Sequence, residues 1–229
     1  VRIQKVTYKS NDGINLIGFV VGDPRAPSGL IIAFHGNADL ARNLLHWAGA
    51  LAHATGQTVF LPELRGYDGL AGRPTYEGAA RDAAAAAAFA QDSLAIPPER
   101  IAYYGHSLGS ALAVELASDR PPHVLLLESP FSSARAMAKR MFVPGLSLFW
   151  AILSRVHYDT VRRVSLLRVP VWVSHGDRDD IIPARMGRPV FEAAAVKGEF
   201  LMVRGAGHND VAERGGEAYW DWFRNALKK

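Results

Sequence analysis

The chain has 229 residues, of which 49% are hydrophobic and 21% are charged. This balance predicts one globular domain with a sizeable core and excludes a disordered chain. The absence of cysteine excludes disulfides, thiolate metal sites and a cysteine nucleophile. The net charge is +4, but a nucleic-acid-binding motif and a dense basic block are both missing, so we expect no nucleic-acid partner. We expect a cytoplasmic protein, or one that a segment preceding Val1 anchors to a membrane.

Strands and helices alternate along the chain. The predicted strands are 3–9, 14–21, 30–34, 58–61, 101–104, 123–128, 171–174 and 199–203. The predicted helices are 40–55, 75–91, 107–119, 184–196 and 211–227. Because this alternation needs crossover connections, we predict an α/β fold with a mostly parallel central sheet of about eight strands and helices on both faces.

Residues 131–170 interrupt the alternation with apolar side chains at helical spacing. We predict a small helical lid inserted into a single domain that spans residues 1–229. Six apolar side chains are predicted to bind substrate as the wall of an acyl pocket: Phe131, Met137, Met141, Phe142, Phe149 and Trp150. Basic side chains in the lid outnumber its single acid, Asp159. They suit weak association with an anionic membrane surface, but ordinary solvated arginines are the preferred interpretation.

The strongest chemical signal is the run G-H-S-L-G at residues 105–109, between a predicted strand and a predicted helix. It matches G-x-S-x-G, in which the serine stands on a sharp strand-to-helix turn as a nucleophile. Ser107 is therefore the predicted nucleophile. The backbone N–H of Leu108 is a predicted donor of the oxyanion hole, and the second donor is expected from the loop after strand 30–34. His35 begins that loop and is predicted to organise it.

A serine hydroxyl is a weak nucleophile at neutral pH and needs a base. His208 is the predicted base because it follows the last strand among glycines and comes after the candidate acids. His175 precedes those acids and is predicted to serve packing or hydrogen bonding. Three aspartates follow the penultimate strand, at positions 177, 179 and 180, and their spacing alone leaves the choice of acid open.

Taken together, these motifs resemble the α/β-hydrolase superfamily, closest to the group of serine aminopeptidases, esterases and monoacylglycerol lipases, including acyl-protein depalmitoylases. The likeness rests on HGNA at 35–38, LRGY at 64–67, YGHSLG at 104–109, ESPF at 128–131, H-G-x-x-D-x-x-I-P at 175–183 and GHND at 207–210. The resemblance implies an α/β-hydrolase fold. It also implies Asp179 as the acid, with Asp177 in reserve, and Asn37 as the second backbone donor. The chain departs from the family pattern at 66–72, where Asp68 and Leu70 replace small residues, so substrate access is expected to differ.

The expected function is cleavage of carboxylic esters, as in a carboxylesterase or lipase, through a Ser107–His208–Asp179 triad and an acyl-enzyme. An acyl-protein or other thioesterase is the alternative within this class, and a catalytically silent binding protein is the alternative outside it. The lid holds almost no carboxylate, which argues against an aminopeptidase because that site must hold an ammonium group. The expected partner is a small or lipid-like acyl ester, and the chemistry requires no metal or organic cofactor.

Overall fold

The computed structural model describes residues 1–23, 28–141 and 158–228. Its strands are β1 (Ile3–Lys9), β2 (Asn15–Val21), β3 (Leu30–Phe34), β4 (Thr58–Pro62), β5 (Ile101–His106), β6 (Val124–Glu128), β7 (Pro170–Gly176) and β8 (Val196–Val203). Its α-helices are α1 (Leu45–Thr55), α2 (Tyr76–Asp92), α3 (Leu108–Asp119), α4 (Ala134–Met141), α5 (Thr160–Leu166), α6 (Ala184–Ala193) and α7 (Val211–Ala226). Short 3₁₀ turns cover Ala41–Leu44 and Pro98–Arg100.

The strands form one sheet in the order β1-β2-β4-β3-β5-β6-β7-β8. The pairs β1–β2 and β2–β4 are antiparallel, and the pairs from β4 to β8 are parallel, which confirms the predicted fold class. From β3 the chain moves to one side to form β4 and then returns to the other side to form β5. The carboxyl ends of β3 and β5 therefore flank a topological switch point, where open α/β sheets form their ligand crevices.

Both faces of the sheet are covered, which explains why strands such as β3 are apolar along their whole length. Ile32 and Phe34 of β3 face a core cluster that includes buried residues of α2, α3, α5 and α6. Ile31 and Ala33 face the opposite cluster, which includes buried residues of α1 and α7. Four alanines of α2, at positions 83, 86, 87 and 90, are buried in the first cluster, so these small side chains let the helix approach the sheet closely.

Some predicted boundaries are wrong. The helix predicted over 40–55 is a 3₁₀ turn at Ala41–Leu44 followed by α1 from Leu45. The helix predicted over 184–196 ends at Ala193, because Ala194 is extended (φ −64°, ψ 131°). The strand predicted over 199–203 begins instead at Val196, which pairs with Pro170 at the start of β7. Pairing along the sheet edge therefore overrides the helical pattern that continues through these residues.

The segment predicted as a lid contributes α4 and α5. Its two described ends are joined by backbone hydrogen bonds from Ala134 to the carbonyl of Tyr158 (2.8 Å) and from Val161 to the carbonyl of Ser132 (3.2 Å). The part at 142–157 lies outside the described residues. None of the helices in the described ranges combines the length and apolar character needed to cross a membrane.

Candidate active site

The residues of the predicted triad and oxyanion hole lie at one edge of the sheet. Ser107 directly follows β5, and Asn37 follows β3 by three residues. Asp179 and His208 lie in the loops after β7 and β8. Since the carboxyl ends of parallel strands meet at one edge, strand order brings together residues that are far apart in sequence.

Ser107 stands on a strained turn between β5 and α3. Its backbone has φ 56° and ψ −117°, a region that a non-glycine residue occupies only where surrounding contacts enforce it. The Ser107 N–H donates to the carbonyl of Glu128 on the neighbouring strand (2.9 Å), and the Ser107 carbonyl accepts from the N–H of Ser110 (3.0 Å). The turn is therefore fastened at both ends, with the serine side chain at the start of the helix.

Two glycines allow the turn to pack this tightly. A Cβ atom added to Gly105 would lie 2.2 Å from the carbonyl oxygen of Gly109. A Cβ atom added to Gly109 would lie 2.2 Å from the carbonyl oxygen of Phe34, at the end of β3. Both glycines of the G-x-S-x-G motif are thus required by close backbone approach, and they hold the turn against the strand that precedes Asn37.

Asp179 and His208 form a hydrogen-bonded pair. Nδ1 of His208 lies 2.7 Å from Oδ2 of Asp179, whose side chain is fully buried. The other oxygen, Oδ1, accepts the backbone N–H groups of Ile181 (3.1 Å) and Ile182 (2.7 Å). With Nδ1–H donated to Asp179, Nε2 is the nitrogen of His208 that can accept a proton.

The environment keeps Asp179 ionised. Burial alone would raise the pKa of this carboxyl, but the nearby Nε2–H of His175 (3.4 Å) and hydrogen bonds from His208 and Ile182 outweigh burial and hold the pKa well below its usual range. Asp177, the reserve candidate, is exposed, and its Oδ1 accepts the N–H of Gly205 at 2.7 Å. The geometry therefore pairs Asp179 with the histidine and gives Asp177 a part in holding the β8 loop.

The loop that carries His208 is fastened to the residue before Ser107. Nε2 of His106 lies 3.0 Å from the carbonyl oxygen of His208, and the two rings are 4.8 Å apart. Burial lowers the pKa of His106, so its ring is neutral at pH 7 and donates to this carbonyl through Nε2–H. Within the loop, the N–H of Gly207 donates to Oδ1 of Asp210 at 2.6 Å.

The loop after β3 is held by His35, as predicted. Nε2 of His35 lies 2.8 Å from Oε1 of Glu63, and Nδ1 lies 2.8 Å from the carbonyl oxygen of Gly36. Burial lowers the pKa of His35, but the hydrogen bonds to Glu63 and Gly36 raise it by more, so the net shift is upward. Because a trans peptide points its C=O and N–H in opposite directions, fixing the Gly36 carbonyl also fixes the direction of the Asn37 N–H.

Two residues of this loop assembly were not predicted. Glu63 is fully buried after β4, and its Oε2 accepts the N–H of Ala41 at 2.9 Å. Tyr67 donates its hydroxyl to Oδ1 of Asn37 at 3.0 Å. The sequence signal for Glu63 is a charged residue directly after an apolar strand, and Tyr67 belongs to the LRGY motif at 64–67.

A cavity of about 180 Å³ opens beside both predicted oxyanion donors, Asn37 and Leu108. Its other lining residues are Leu64, Arg65, Tyr67, Pro74, Thr75, Tyr76, Ala79 and Tyr158. A larger cavity, of about 430 Å³, includes Thr58 at the amino end of β4 and so lies at the opposite edge of the sheet. Of these two cavities, the smaller one lies beside Leu108, the residue after Ser107, at the edge of the sheet that carries the predicted triad.

The predicted substrate-binding side chains fall into two groups. Phe131 is buried behind the cavity, with its ring centroid 6.5 Å from that of Tyr158, and Met137 packs against the same apolar cluster. Phe131 and Met137 therefore pack behind the cavity wall and do not line it. The tyrosines that do line it, Tyr67, Tyr76 and Tyr158, are absent from the predicted set. The side chain of Met141 and residues Phe142, Phe149 and Trp150 lie outside the described residues.

Comparisons with known proteins bear on the family of this chain. Residues 29–133 match the family described as the alpha/beta hydrolase fold. A Mycobacterium tuberculosis protein described as uncharacterized is 37% identical over 223 residues, which cover 97% of this chain and 78% of that protein. The human alpha/beta hydrolase domain-containing protein 17B is 30% identical over 194 residues, covering 84% of this chain and 64% of its own length.

Solved structures agree on the fold at lower identity. The esterase domain of a Rhodothermus marinus protein superposes with a TM-score of 0.72 at 20% identity, covering 99% of this chain and 100% of that domain. An esterase from Pyrococcus furiosus gives a TM-score of 0.77 at 17% identity, covering 99% of this chain and 93% of the other. Fold, family match and relatives lead to one conclusion: the chain belongs to the α/β-hydrolase superfamily.

Proposed function

We propose that this chain is a serine hydrolase that cleaves carboxylic esters through Ser107, His208 and Asp179. The observation that carries the proposal is the 2.7 Å contact between Nδ1 of His208 and Oδ2 of Asp179, at the same sheet edge as the strained turn of Ser107. A buried carboxylate that orients a histidine, beside a serine at a helix start, is the arrangement that activates a hydroxyl for acyl transfer.

The first half of the reaction forms an acyl-enzyme. Nε2 of His208 accepts the Ser107 proton as Oγ attacks the ester carbonyl, and Asp179 stabilises the resulting imidazolium. The backbone N–H groups of Leu108 and Asn37 stabilise the negative charge that develops on the carbonyl oxygen. His208 then gives its proton to the departing alcohol as the carbon–oxygen bond breaks.

The second half releases the acid. His208 accepts a proton from water as the water oxygen attacks the acyl carbon, and the same donors stabilise the second tetrahedral intermediate. The intermediate collapses with return of the proton from His208 to Oγ of Ser107, which regenerates the enzyme. The net reaction consumes ester and water and releases acid and alcohol, and the three side chains return to their starting protonation states.

The lining of the cavity beside Leu108 indicates that the acyl group of the substrate is uncharged. Among the described residues that line it, Arg65 is the one cationic side chain, and it is already paired: its guanidinium donates to Asp82 and to Asp12, each at 2.7 Å. Its positive charge is therefore already neutralised and is not available to bind a carboxylate on the substrate. The remaining walls are mainly aromatic and aliphatic, and they suit the hydrocarbon part of an ester.

The test is hydrolysis of p-nitrophenyl esters of rising chain length by the wild type and by Ser107→Ala. We expect hydrolysis by the wild type and a loss of at least about 10³-fold in kcat in the variant. Ser118→Ala is the matched control, since Ser118 lies in α3 and its hydroxyl donates to the carbonyl of Val114 in the same helix (3.1 Å). Equal rates for wild type and Ser107→Ala would contradict the proposal.

Two further outcomes separate the alternatives. A wild type that cleaves acyl thioesters but not the matched esters would identify a thioesterase. A folded wild type that cleaves neither class would identify a binding protein on a hydrolase scaffold.

A further inference from the structure

His175 is a second histidine at the acid, outside the proposed triad. It lies in β7 with a fully buried side chain, four residues before Asp179. Its Nε2 is 2.7 Å from the carbonyl oxygen of Ile182 and 3.4 Å from Oδ2 of Asp179. The carboxylate oxygen that pairs with His208 therefore has imidazole nitrogens from two histidines beside it.

We propose that His175 is a positioning residue that locks the turn 179–182 so that Asp179 presents its carboxylate to His208. This inference rests on the proposed hydrolase function, because it assigns His175 a role in aligning that acid.

The hydrogen bonds form a chain that leads from the strand to the acid. The carbonyl of Ile182 can only accept, so the proton of His175 lies on Nε2. The N–H of the same Ile182 donates to Oδ1 of Asp179 at 2.7 Å. Anchoring the Ile182 carbonyl therefore restrains the residue whose N–H binds Oδ1, and Oδ2 is left directed at His208.

Packing around the ring leaves little freedom. A Cβ atom added to Gly187 of α6 would lie 2.4 Å from Nδ1 of His175. The missing side chain at Gly187 is therefore what gives the imidazole its place between β7 and α6.

The burial of Nδ1 indicates that packing alone is not the reason for a histidine at position 175. Among the residues that the structure describes, Nδ1 of His175 has no hydrogen-bond partner. Burying a polar atom without a partner is unfavourable, and a leucine of similar size would avoid that cost. We infer that the hydrogen bond from Nε2 to the Ile182 carbonyl, which an apolar side chain cannot make, offsets this cost.

Three substitutions separate the donor from the packing. His175→Gln places an amide N–H near the position of Nε2, whereas His175→Asn places it near Nδ1. His175→Leu fills the space and has no donor. For the Leu and Asn variants we expect kcat for a p-nitrophenyl ester to fall by roughly 10-fold to 100-fold with little change in KM. A misdirected acid stabilises the transition state less but does not affect how the substrate binds. The Gln variant should recover most of the lost kcat.

A spectroscopic readout monitors the acid directly. The proton between Nδ1 of His208 and Oδ2 of Asp179 should give a far-downfield proton resonance in the wild type. We expect this resonance to persist in His175→Gln and to disappear or move upfield in His175→Leu. Gly187→Ala, which presses on the ring without changing its chemistry, should act in the same direction as His175→Leu.

The outcomes distinguish this inference from the proposed function. If the wild type cleaves esters and His175→Leu, once shown to be folded by circular dichroism, keeps the wild-type kcat and downfield resonance, the positioning role is wrong. A Gln variant no better than the Leu variant would contradict it as well. If the wild type itself cleaves no ester, the proposed function fails first, and the resonance alone then tests whether His175 aligns Asp179.

Discussion

The hydroxyl of Tyr67 donates a hydrogen bond to Oδ1 of Asn37 at 3.0 Å, across two loops that follow neighbouring strands. Tyr67 lies in the 66–72 loop, where the sequence departs from the family pattern. The next residue, Asp68, has a positive φ of 47° and pairs with Arg42. The sequence predicts that the changes at Asp68 and Leu70 alter substrate access. Tyr67, next to Asp68, also contacts Asn37, in the loop that carries a proposed oxyanion donor.

Tyr67→Phe removes this hydrogen bond and keeps the ring. We expect kcat to fall by about 2-fold to 12-fold, the equivalent of one ordinary hydrogen bond, because the Asn37 backbone is held less firmly. Steady-state kinetics with a p-nitrophenyl ester measure the effect. Tyr8→Phe is the control, since the Tyr8 hydroxyl has no partner within the described residues. An unchanged kcat in Tyr67→Phe would show that this contact does not serve the reaction.

Asp179→Asn tests the choice of acid. The amide keeps the shape but cannot stabilise the imidazolium or hold the same tautomer, so kcat should fall by about 10⁴-fold. Asp177→Asn is the matched control, because within the described residues that exposed carboxylate accepts only the N–H of Gly205 (2.7 Å), and we expect a change of a few-fold at most. A larger loss in Asp177→Asn than in Asp179→Asn would reverse the assignment.

Two glycine-to-alanine substitutions in helices should have opposite effects on stability. In Gly109→Ala the new Cβ would meet the Phe34 carbonyl at 2.2 Å, so we expect a loss of about 3–5 kcal/mol in the free energy of unfolding. Gly49→Ala in α1 meets nothing within 4 Å, so it should be neutral or stabilise by about 0.5–1 kcal/mol. Urea denaturation measures both. Comparable stability of the two variants would mean that the turn of Ser107 does not depend on this close approach.

The buried pair of His35 and Glu63 predicts a pH dependence of stability. The pKa of His35 is raised on folding, since its hydrogen bonds to Glu63 and Gly36 outweigh burial. Its contribution is therefore complete below the unfolded pKa of about 6.5 and is lost as pH rises through the folded value. His35→Gln keeps a donor toward Glu63 but cannot take up the proton. The stability difference between wild type and His35→Gln, from urea denaturation at a series of pH values, should shrink as pH rises from 6. A difference that grows with pH would contradict the assignment.

Much of the fold could be predicted because buried parallel strands are distinctive in sequence. The run at 30–34 is apolar throughout, and its bounds match β3. The motif around Ser107 was informative for a physical reason: the close approach of Gly105 and Gly109 admits no side chain at either position. The loops after β7 and β8 could be assigned to the site because parallel strands end at one edge.

The supporting contacts could not be predicted in the same way. Glu63 meets His35 across 28 residues, and Tyr67 meets Asn37 across 30. Each contact depends on β4 lying next to β3 in the sheet, and periodicity carries no information about that order. His175 was predicted to serve packing or hydrogen bonding, but only the folded turn at 179–182 reveals which acceptor it reaches.

The central claim, that Ser107 is an activated nucleophile, is tested most directly by labelling the folded protein with a fluorophosphonate probe and locating the adduct by peptide mass spectrometry. We predict one adduct, on Ser107, whose formation is much slower in His208→Ala and absent in Ser107→Ala. An adduct on another residue, or a folded wild type that is not labelled, would contradict the account.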